Sequence, residues 1–257
     1  MHSSTGDDKN KLFVRSLAKG FALLEAFSTK PGPLSLNELA TYSSLDRSAA
    51  QRVAHTLVAL GYLERGANGR GYLPGSKCLD RTFDFLRSHP LIERATPILT
   101  ALQEECGERV DLSLFDDLSI IYALRRQTKR QSYYSTLVGR RMPTFITSGG
   151  RSILASLSPA DADDIIRRSS LVRLTPKSIT DPDQLREKIA EARTRSYALA
   201  VEESLLGEIA LGSAILDHDG RPVGAVHIAG SCSEWEPEGF ARKFAPLAIG
   251  AARALCG

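Results

Sequence analysis

Cysteine is scarce in this chain, and long apolar runs are missing altogether. Of 257 residues only four are cysteine, at positions 78, 106, 232 and 256. Their spacing fits neither a zinc-ligand pattern nor the paired framework of a small secreted domain, so the expectation is a reducing cytoplasm, with no metal and no cofactor. No stretch approaches the roughly 20 apolar residues of a membrane span. Residues 1–10 are polar and lack the apolar segment of a secretory signal. The motifs of common enzymes are missing as well, with no Gly-x-Ser-x-Gly elbow and no Gly-x-x-x-x-Gly-Lys-Ser/Thr phosphate loop.

An excess of one charge is nearly absent overall, because 33 Lys and Arg face 30 Asp and Glu. Split along the chain, the balance is uneven: residues 1–75 hold nine basic and six acidic side chains, while residues 76–257 hold twenty-four of each. The whole formal excess therefore sits in the first third, where a nucleic-acid contact would need it. With 42% hydrophobic and 25% charged residues over this length, the chain has the material for two domains with real cores.

Residues 1–11 read as a polar, disordered lead. Leu17, Phe21, Leu24 and Phe27 recur at helical spacing and predict a helix over 14–27, which the Pro31-Gly32-Pro33 run terminates. Ser35 stands three residues before Glu38, the spacing of a capping box opening a short helix over 36–43. Asp46 caps a second helix that runs to about Leu60, with Gly61 at its end. Two helices joined by a three-residue turn have the size of a helix-turn-helix. Beyond them, Tyr62-Leu63-Glu64-Arg65, an Asn68-Gly69 turn and Arg70-Gly71-Tyr72-Leu73 predict a hairpin. Three helices followed by a hairpin make a winged helix-turn-helix over 12–75.

Residues 76–107 read as a helical linker bent at Pro97. Residues 108–257 alternate differently. Strands are expected at 110–115, 119–124, 197–202, 209–216 and 223–229, and helices at 150–157, 160–168, 182–196 and 237–255. This is an α+β domain with a mainly antiparallel sheet.

On the second helix of the helix-turn-helix, Arg47, Ser48, Ala49, Gln51, Arg52 and His55 lie on the N-terminal and exposed surface through which a recognition helix meets base edges. Gln51 suits adenine, and Arg52 suits guanine or a phosphate. Arg65 and Arg70 flank the hairpin tip, where a wing touches the backbone or the minor groove. In isolation each is an ordinary solvated residue; in this order they make a DNA-binding surface.

The succession Val14-Arg15-Ser16-Leu17, Leu34-Ser35-Leu36-Asn37-Glu38-Leu39-Ala40, Arg47-Ser48-Ala49-Ala50-Gln51-Arg52 and Leu57-Val58-Ala59-Leu60-Gly61-Tyr62-Leu63-Glu64 resembles the winged helix of IclR-type transcriptional regulators. The likeness continues through Val138-Gly139-Arg140-Arg141-Met142-Pro143 and Thr147-Ser148-Gly149-Gly150-Arg151-Ser152-Ile153-Leu154-Ala155. It returns at Glu202-Glu203, Gly207, Ile215-Leu216-Asp217 and Asp219-Gly220-Arg221-Pro222-Val223, and so spans residues 12–255. The resemblance implies a DNA-binding domain, Ser35 included, that pairs into homodimers or dimers of dimers on near-palindromic double-stranded operators. It also implies a GAF-like domain that binds a small effector. The family usually has Thr where this chain has Ala49, which removes one contact.

Within the second domain, Ala210, Gly212 and Ala214 share one strand face, and Ala225, His227 and Ala229 share another. Small side chains on neighbouring strands leave either a concavity holding His227 or room for a helix to pack closely. The resemblance favours the concavity, with Thr147, Ser148, Gly149 and Gly150 supplying free amides to a carboxylate. Family members that bind very small keto-acids carry an acidic group, a thiol and hydroxyls at the positions of Ala200, Ala210, His227 and Ala229. Losing them implies a larger, less polar pocket for an aromatic or otherwise apolar carboxylate.

Several other groups read as structural. Glu202 and Glu203 alternate on a strand and face opposite ways, and Asp217-His218-Asp219-Gly220 is a turn. His227 and Cys232 lack further metal ligands. The basic run 125–130 with Arg140-Arg141 reads as a solvated loop. The competing function is a small-molecule sensor or enzyme whose winged helix contacts proteins.

Overall fold

The computed structural model describes residues 12–127 and 138–257. The expected lead over 1–11 and Thr128, Lys129 and Arg130 of the basic run lie outside the described residues. The chain forms two compact units, divided between Phe85 and Leu86.

The first unit holds α1 (Arg15–Glu25), α2 (Leu36–Tyr42), α3 (Arg47–Ala59), β1 (Leu63–Arg65), β2 (Tyr72–Pro74) and the start of α4 (Lys77–Ser88). The capping box forms as the spacing predicts: the Glu38 amide donates to Ser35 Oγ, and the Ser35 amide to Glu38 Oε2. Asp46 accepts from the Ala49 amide at 2.8 Å and opens α3. Gly61 follows α3 at φ +80°, a conformation that closes a helix without a Cβ penalty. Leu23, Leu34, Leu39, Ala50, Ala54, Leu57, Leu63 and Tyr72 make the core, so helices and hairpin share one apolar centre. The hairpin strands are shorter than the sequence suggests, because a 3-10 turn over Ala67–Gly69 replaces the two-residue turn.

The expected linker over 76–107 divides in two. α4 ends at Ser88, and a new helix, α5 (Pro90–Cys106), starts where Pro90 cannot extend the old one. Leu91, Ile92, Ala95, Leu99 and Leu102 of α5 are buried in the core of the second unit, so α5 is part of that domain rather than a free connector. Pro97 sits inside it.

The second unit continues with β3 (Arg109–Asp116), β4 (Ser119–Arg126), β5 (Arg141–Pro143), α6 (Ser148–Ser156), α7 (Pro159–Arg168), α8 (Pro182–Arg195), β6 (Ala198–Val201), β7 (Glu208–Leu216), β8 (Pro222–Ser231) and α9 (Pro237–Leu255). The strands form one antiparallel sheet in the order β5-β4-β3-β8-β7-β6. Val110, Leu112, Leu114, Leu211, Val226 and Ile228 face one core with α5 and α9. A second core forms with α6, α7 and α8 around Phe145, Ile153, Leu154 and Leu185. The α+β architecture expected of 108–257 is therefore present, with β5 as an added edge strand. No helix among the described residues is long and apolar enough to cross a membrane.

Three local expectations change. Ser148, Gly149 and Gly150 do not precede a helix but form its first turn, with Thr147 as the cap. Glu202 and Glu203 are not on a strand: β6 ends at Val201, and Glu202 takes φ +55°. Arg125 is not a solvated loop residue; its side chain is buried on β4. The turn after β7 is as read, with Asp217 Oδ1 accepting from the amides of Asp219 and Arg221.

Candidate DNA-binding surface and effector site

α3 stands clear of the hydrophobic core along one arc. Arg47, Ser48, Gln51, Arg52 and His55 are exposed, and Arg47, Ser48, Gln51 and His55 fall within about 100° of one another around the helix axis. Arg52 lies further round and borders a groove of about 640 Å³ that Leu17, Phe21, Leu24, Leu57 and Leu60 line with apolar atoms. Ala49 does not join the exposed arc. It is 4% exposed and faces inward, so it offers a base nothing.

The remaining members of the expected surface are held by neighbours. Ser35 is exposed, but its hydroxyl both donates to Glu38 and caps α2. Lys30 pairs with Glu38 and, with the Ser35 amide and hydroxyl, draws that carboxyl down to about 2. On the hairpin, Arg65 lays its guanidinium 4.3 Å from the centroid of the buried Tyr72 ring, which restricts its orientation while leaving it exposed. Arg70 is also exposed. A Cβ on Gly66 would come within 2.3 Å of the Arg70 carbonyl, so the two arms of the wing cross closely there.

In the second unit the sheet arranges its residues in rows. Arg109 lies opposite Ala229, which lies opposite Ala210, which lies opposite Ala200. The next row is Asp111, His227, Gly212 and Ala198. The start of α6 rests on this second row: a Cβ on Gly212 would meet the Gly149 amide nitrogen at 2.4 Å, and one on Gly149 would meet the His227 ring at 2.1 Å. Close helix packing therefore accounts for Gly212 and Gly149. The row of Ala200, Ala210 and Ala229 lies one step further along the strands, where Arg109 crosses β8 beside Ala229 to reach Glu208.

Thr147 and Gly150 have structural roles. Thr147 Oγ1 accepts from the Gly150 amide at 3.0 Å, and a Cβ on Gly150 would lie 1.9 Å from the Thr144 carbonyl. Ser148 differs. Its hydroxyl is buried and has no hydrogen-bond partner among the described residues. The amides of Ser148 and Gly149 head the helix, where no intrahelical acceptor exists. A donor hydroxyl and two helix-start amides together favour an anion.

His227 is 2% exposed and lies with Nε2 2.7 Å from Ser113 Oγ. Burial drives its pKa down to about 4, so the ring is neutral at physiological pH. Tyr122 packs beside it, with ring centroids 5.4 Å apart. Burial first, then Asp111 and Glu208, raise the Tyr122 pKa, so its hydroxyl stays protonated.

Sequence reasoning missed the charges on this face. Asp111 is 1% exposed and accepts from Arg125 Nε at 2.7 Å and from Arg109 Nε at 3.1 Å. Arg109 Nη1 reaches Glu208 Oε2 at 2.7 Å. A second buried pair joins Arg151 to Glu203, with Arg151 Nη1 2.7 Å from Glu203 Oε1 and Arg151 Nε 2.8 Å from the Phe145 carbonyl. That pair borders a separate cleft of about 290 Å³ beside β6, but its hydrogen bonds are satisfied internally. The alternation Arg109-x-Asp111-x-Ser113 was the available signal, since it puts three polar side chains on the sheet face that carries His227. Among the described residues no group of His, Cys, Asp and Glu is arranged to hold a metal.

Both units match known families. Residues 16–67 match the IclR helix-turn-helix domain, and residues 83–257 match the C-terminal domain of bacterial IclR transcriptional regulators. The chain belongs to the IclR family. The Pca regulon regulatory protein of Pseudomonas putida is 27% identical over 253 residues, covering 98% of this chain and 85% of that protein. The crystal structure of a putative transcriptional regulator from Rhodococcus sp. RHA1 is 28% identical and superposes with a TM-score of 0.79, covering 95% of this chain and 97% of that one. An IclR homologue of Microbacterium hydrocarbonoxydans, complexed with 4-hydroxybenzoate, has the same fold at a TM-score of 0.75 and 21% identity, over 93% of this chain and 97% of that one. This IclR-family chain is accordingly a DNA-binding transcriptional regulator with a winged helix-turn-helix and an α+β, GAF-like C-terminal domain.

Proposed function

We propose that this regulator reads a near-palindromic operator with Arg47, Ser48, Gln51, Arg52 and His55, and holds the flanking phosphates with Arg65 and Arg70. Its grip on that operator would be set by a small carboxylate bound against Ser148, Gly149, His227, Ala200, Ala210 and Ala229. The observation that carries the effector reading is the buried Ser148 hydroxyl at the start of α6, which has no partner among the described residues and lies near a row of alanines. A buried donor without a partner costs about 1–3 kcal/mol, which a bound carboxylate oxygen would recover. The alanine row favours an apolar body behind the carboxylate, and a ring fits that description. The 4-hydroxybenzoate complex of the Microbacterium homologue shares this fold and supports an aromatic acid.

The functional unit in this reading is a homodimer or a dimer of dimers. Leu17, Phe21 and Leu60 are each more than half exposed around the apolar groove of the first unit. Contiguous apolar surface of this kind is what a monomer hides, and a two-fold contact would bury it twice over. Two paired winged helices suit a near-palindromic site. The effector would act by favouring one arrangement of the pair over another, which changes operator affinity.

Calorimetric titration of the full chain with small carboxylic acids tests the effector site. Benzoate-like acids should bind, and S148A should weaken every acid that does. A chain that binds only glyoxylate or pyruvate, or whose affinities ignore S148A, would contradict the proposal.

A further inference from the structure

Among the described residues β6 is the outermost strand of the sheet, bonded to β7 alone. Its register decides which of its backbone groups stay free. One step beyond the Val201–Ile209 pair, the Glu202 amide donates to the Glu208 carbonyl at 2.7 Å. Successive residues of an antiparallel strand turn their N–H and C=O groups to opposite sides. Ala198 and Ala200 therefore bond towards β7 as Glu202 does, and Leu199 and Val201 direct theirs away from the sheet. No backbone hydrogen bond outside the sheet involves Leu199 or Val201 among the described residues.

The cleft of about 290 Å³ runs along this free edge. Side chains from both faces of β6 line it, Ala198 from one and Tyr197, Leu199 and Val201 from the other, which places it beside the strand rather than above it. On the Ala198 face α8 forms a wall, with Lys188 and Arg195 at the cleft. On the other face Tyr197, Leu199 and Val201 are half-buried against the core that α5 and α9 share. An open strand edge with a groove beside it suits an extended chain, whose backbone continues the ladder and whose side chains alternate between the two faces.

The charges select that chain. Lys177, Lys188 and Arg195 stand at the cleft against one exposed acid, Glu191, while the Arg151–Glu203 pair is buried and neutral as a unit. Glu202 holds Lys177 and Glu191 holds Lys188, but Arg195 has no ion pair among the described residues. The two lysine pairs are exposed and weak, so either lysine can turn to a new carboxylate. A second copy of β6 would set the same cations against one another, which disfavours pairing of two identical edges.

We propose that β6 docks an extended acidic segment of another protein, added antiparallel to the sheet, with carboxylates towards Lys188 and Arg195 and apolar side chains beside Tyr197, Leu199 and Val201. This does not depend on the carboxylate reading of Ser148. Directly opposed residues of an antiparallel pair share a face and turn their amides towards each other or away together. The apolar residues of the segment, opposite Leu199 and Val201, are thus the ones that hydrogen-bond to β6, and its acidic residues point their amides outward.

The test titrates the full chain by calorimetry with the capped hexapeptide Val-Glu-Val-Glu-Val-Glu, its counterpart Val-Lys-Val-Lys-Val-Lys, and two N-methylated forms of the acidic peptide. The glutamate peptide should bind at least tenfold tighter than the lysine peptide. N-methylation of its valines should abolish binding, whereas N-methylation of its glutamates should change it less than threefold. R195E should narrow the gap between the two peptides to below threefold. V201P removes an outward amide that β7 does not use, which an edge strand tolerates, and should weaken the acidic peptide at least tenfold. No binding of the glutamate peptide, or equal binding of both peptides, overturns the proposal. Any other methylation pattern overturns it too; binding that survives methylation of every valine would show an anion contact without a ladder. An oligomer that V201P breaks into lighter sedimenting species would give the edge to a second copy, which also overturns it. The peptide panel on the parent chain decides the matter even where a variant fails to fold.

Discussion

The Ser113 hydroxyl lies 2.7 Å from Nε2 of His227, at the centre of the sheet face that α6 covers. That contact fixes the imidazole where Gly149 packs against it, so no ligand need orient the ring. With burial holding the His227 pKa near 4, the ring is neutral in the fold and takes up a proton more readily in the unfolded chain. Its folded pKa lies below the unfolded value of about 6.5, so its contribution to stability is complete above pH 6.5 and is lost as pH falls towards 4. The loss should amount to about 3 kcal/mol. Urea unfolding at pH 7 and at pH 4.5 should show a smaller drop in H227Q than in the parent chain. Equal drops would mean that His227 already has its proton compensated.

The bidentate pair of Arg151 and Glu203 is buried at both ends. Removing one partner leaves an uncompensated charge, which typically costs 3–5 kcal/mol, so about that loss is expected for E203Q or R151M alone. Replacing both with apolar residues should recover much of it. Thermal unfolding of the singles and the double measures the difference, and additive losses would contradict a coupled pair.

G212A places a methyl group 2.4 Å from the Gly149 amide nitrogen. The start of α6 must then shift off the sheet. About 1–3 kcal/mol of stability should go, as in other overpacked sites, and the carboxylate site proposed at the helix start should go with it. The variant should still bind operator DNA but no longer respond to acids.

Much of the first unit could be read in advance, because its signals are local. The Ser35–Glu38 box, the Asp46 cap and Gly61 each act within one helical turn, and each is where the spacing puts it. The helix break at Pro90 and the docking of α5 were not legible, since only the tertiary core decides which domain Leu91 and Ala95 join. The face proposed for the effector was half legible. Small residues at alternate positions indicated a special surface, but whether a helix or a ligand covers each one depends on where α6 ends. The ion network was only partly legible: Arg109, Asp111 and Arg125 lie on the consecutive strands β3 and β4, but Glu208, 99 residues from Arg109, joins them only through the tertiary sheet order. The displacement of Ala49 into the core shows the same limit, because one residue's difference in register separates Ser48 in solvent from Ala49 inside.

On the wing, Arg70 is exposed and has no side-chain partner among the described residues. As a phosphate contact it should act without regard to sequence. R70A should weaken binding to specific and non-specific DNA in similar proportion and lower the slope of log affinity against log salt by about 1. Q51A should instead cost about 1–3 kcal/mol on the operator alone. Anisotropy titrations across salt concentrations separate the two behaviours.

The apolar groove around Phe21 offers a check on assembly. F21E places a charge where Leu17 and Leu60 line an exposed surface, and analytical ultracentrifugation should show a dimer giving way to lighter species. An unchanged sedimentation profile would place the self-association surface elsewhere.

The central claim is that acid binding in the second unit governs DNA binding by the first. Its most direct measurement is the affinity of the full chain for the intergenic DNA beside its own gene, with excess competitor DNA, before and after saturation with the tightest-binding aromatic acid. The account predicts specific binding whose affinity changes at least fivefold with the acid, in either direction, and a response that S148A abolishes. Specific binding that no carboxylate alters, or acid binding with no effect on DNA, would contradict it.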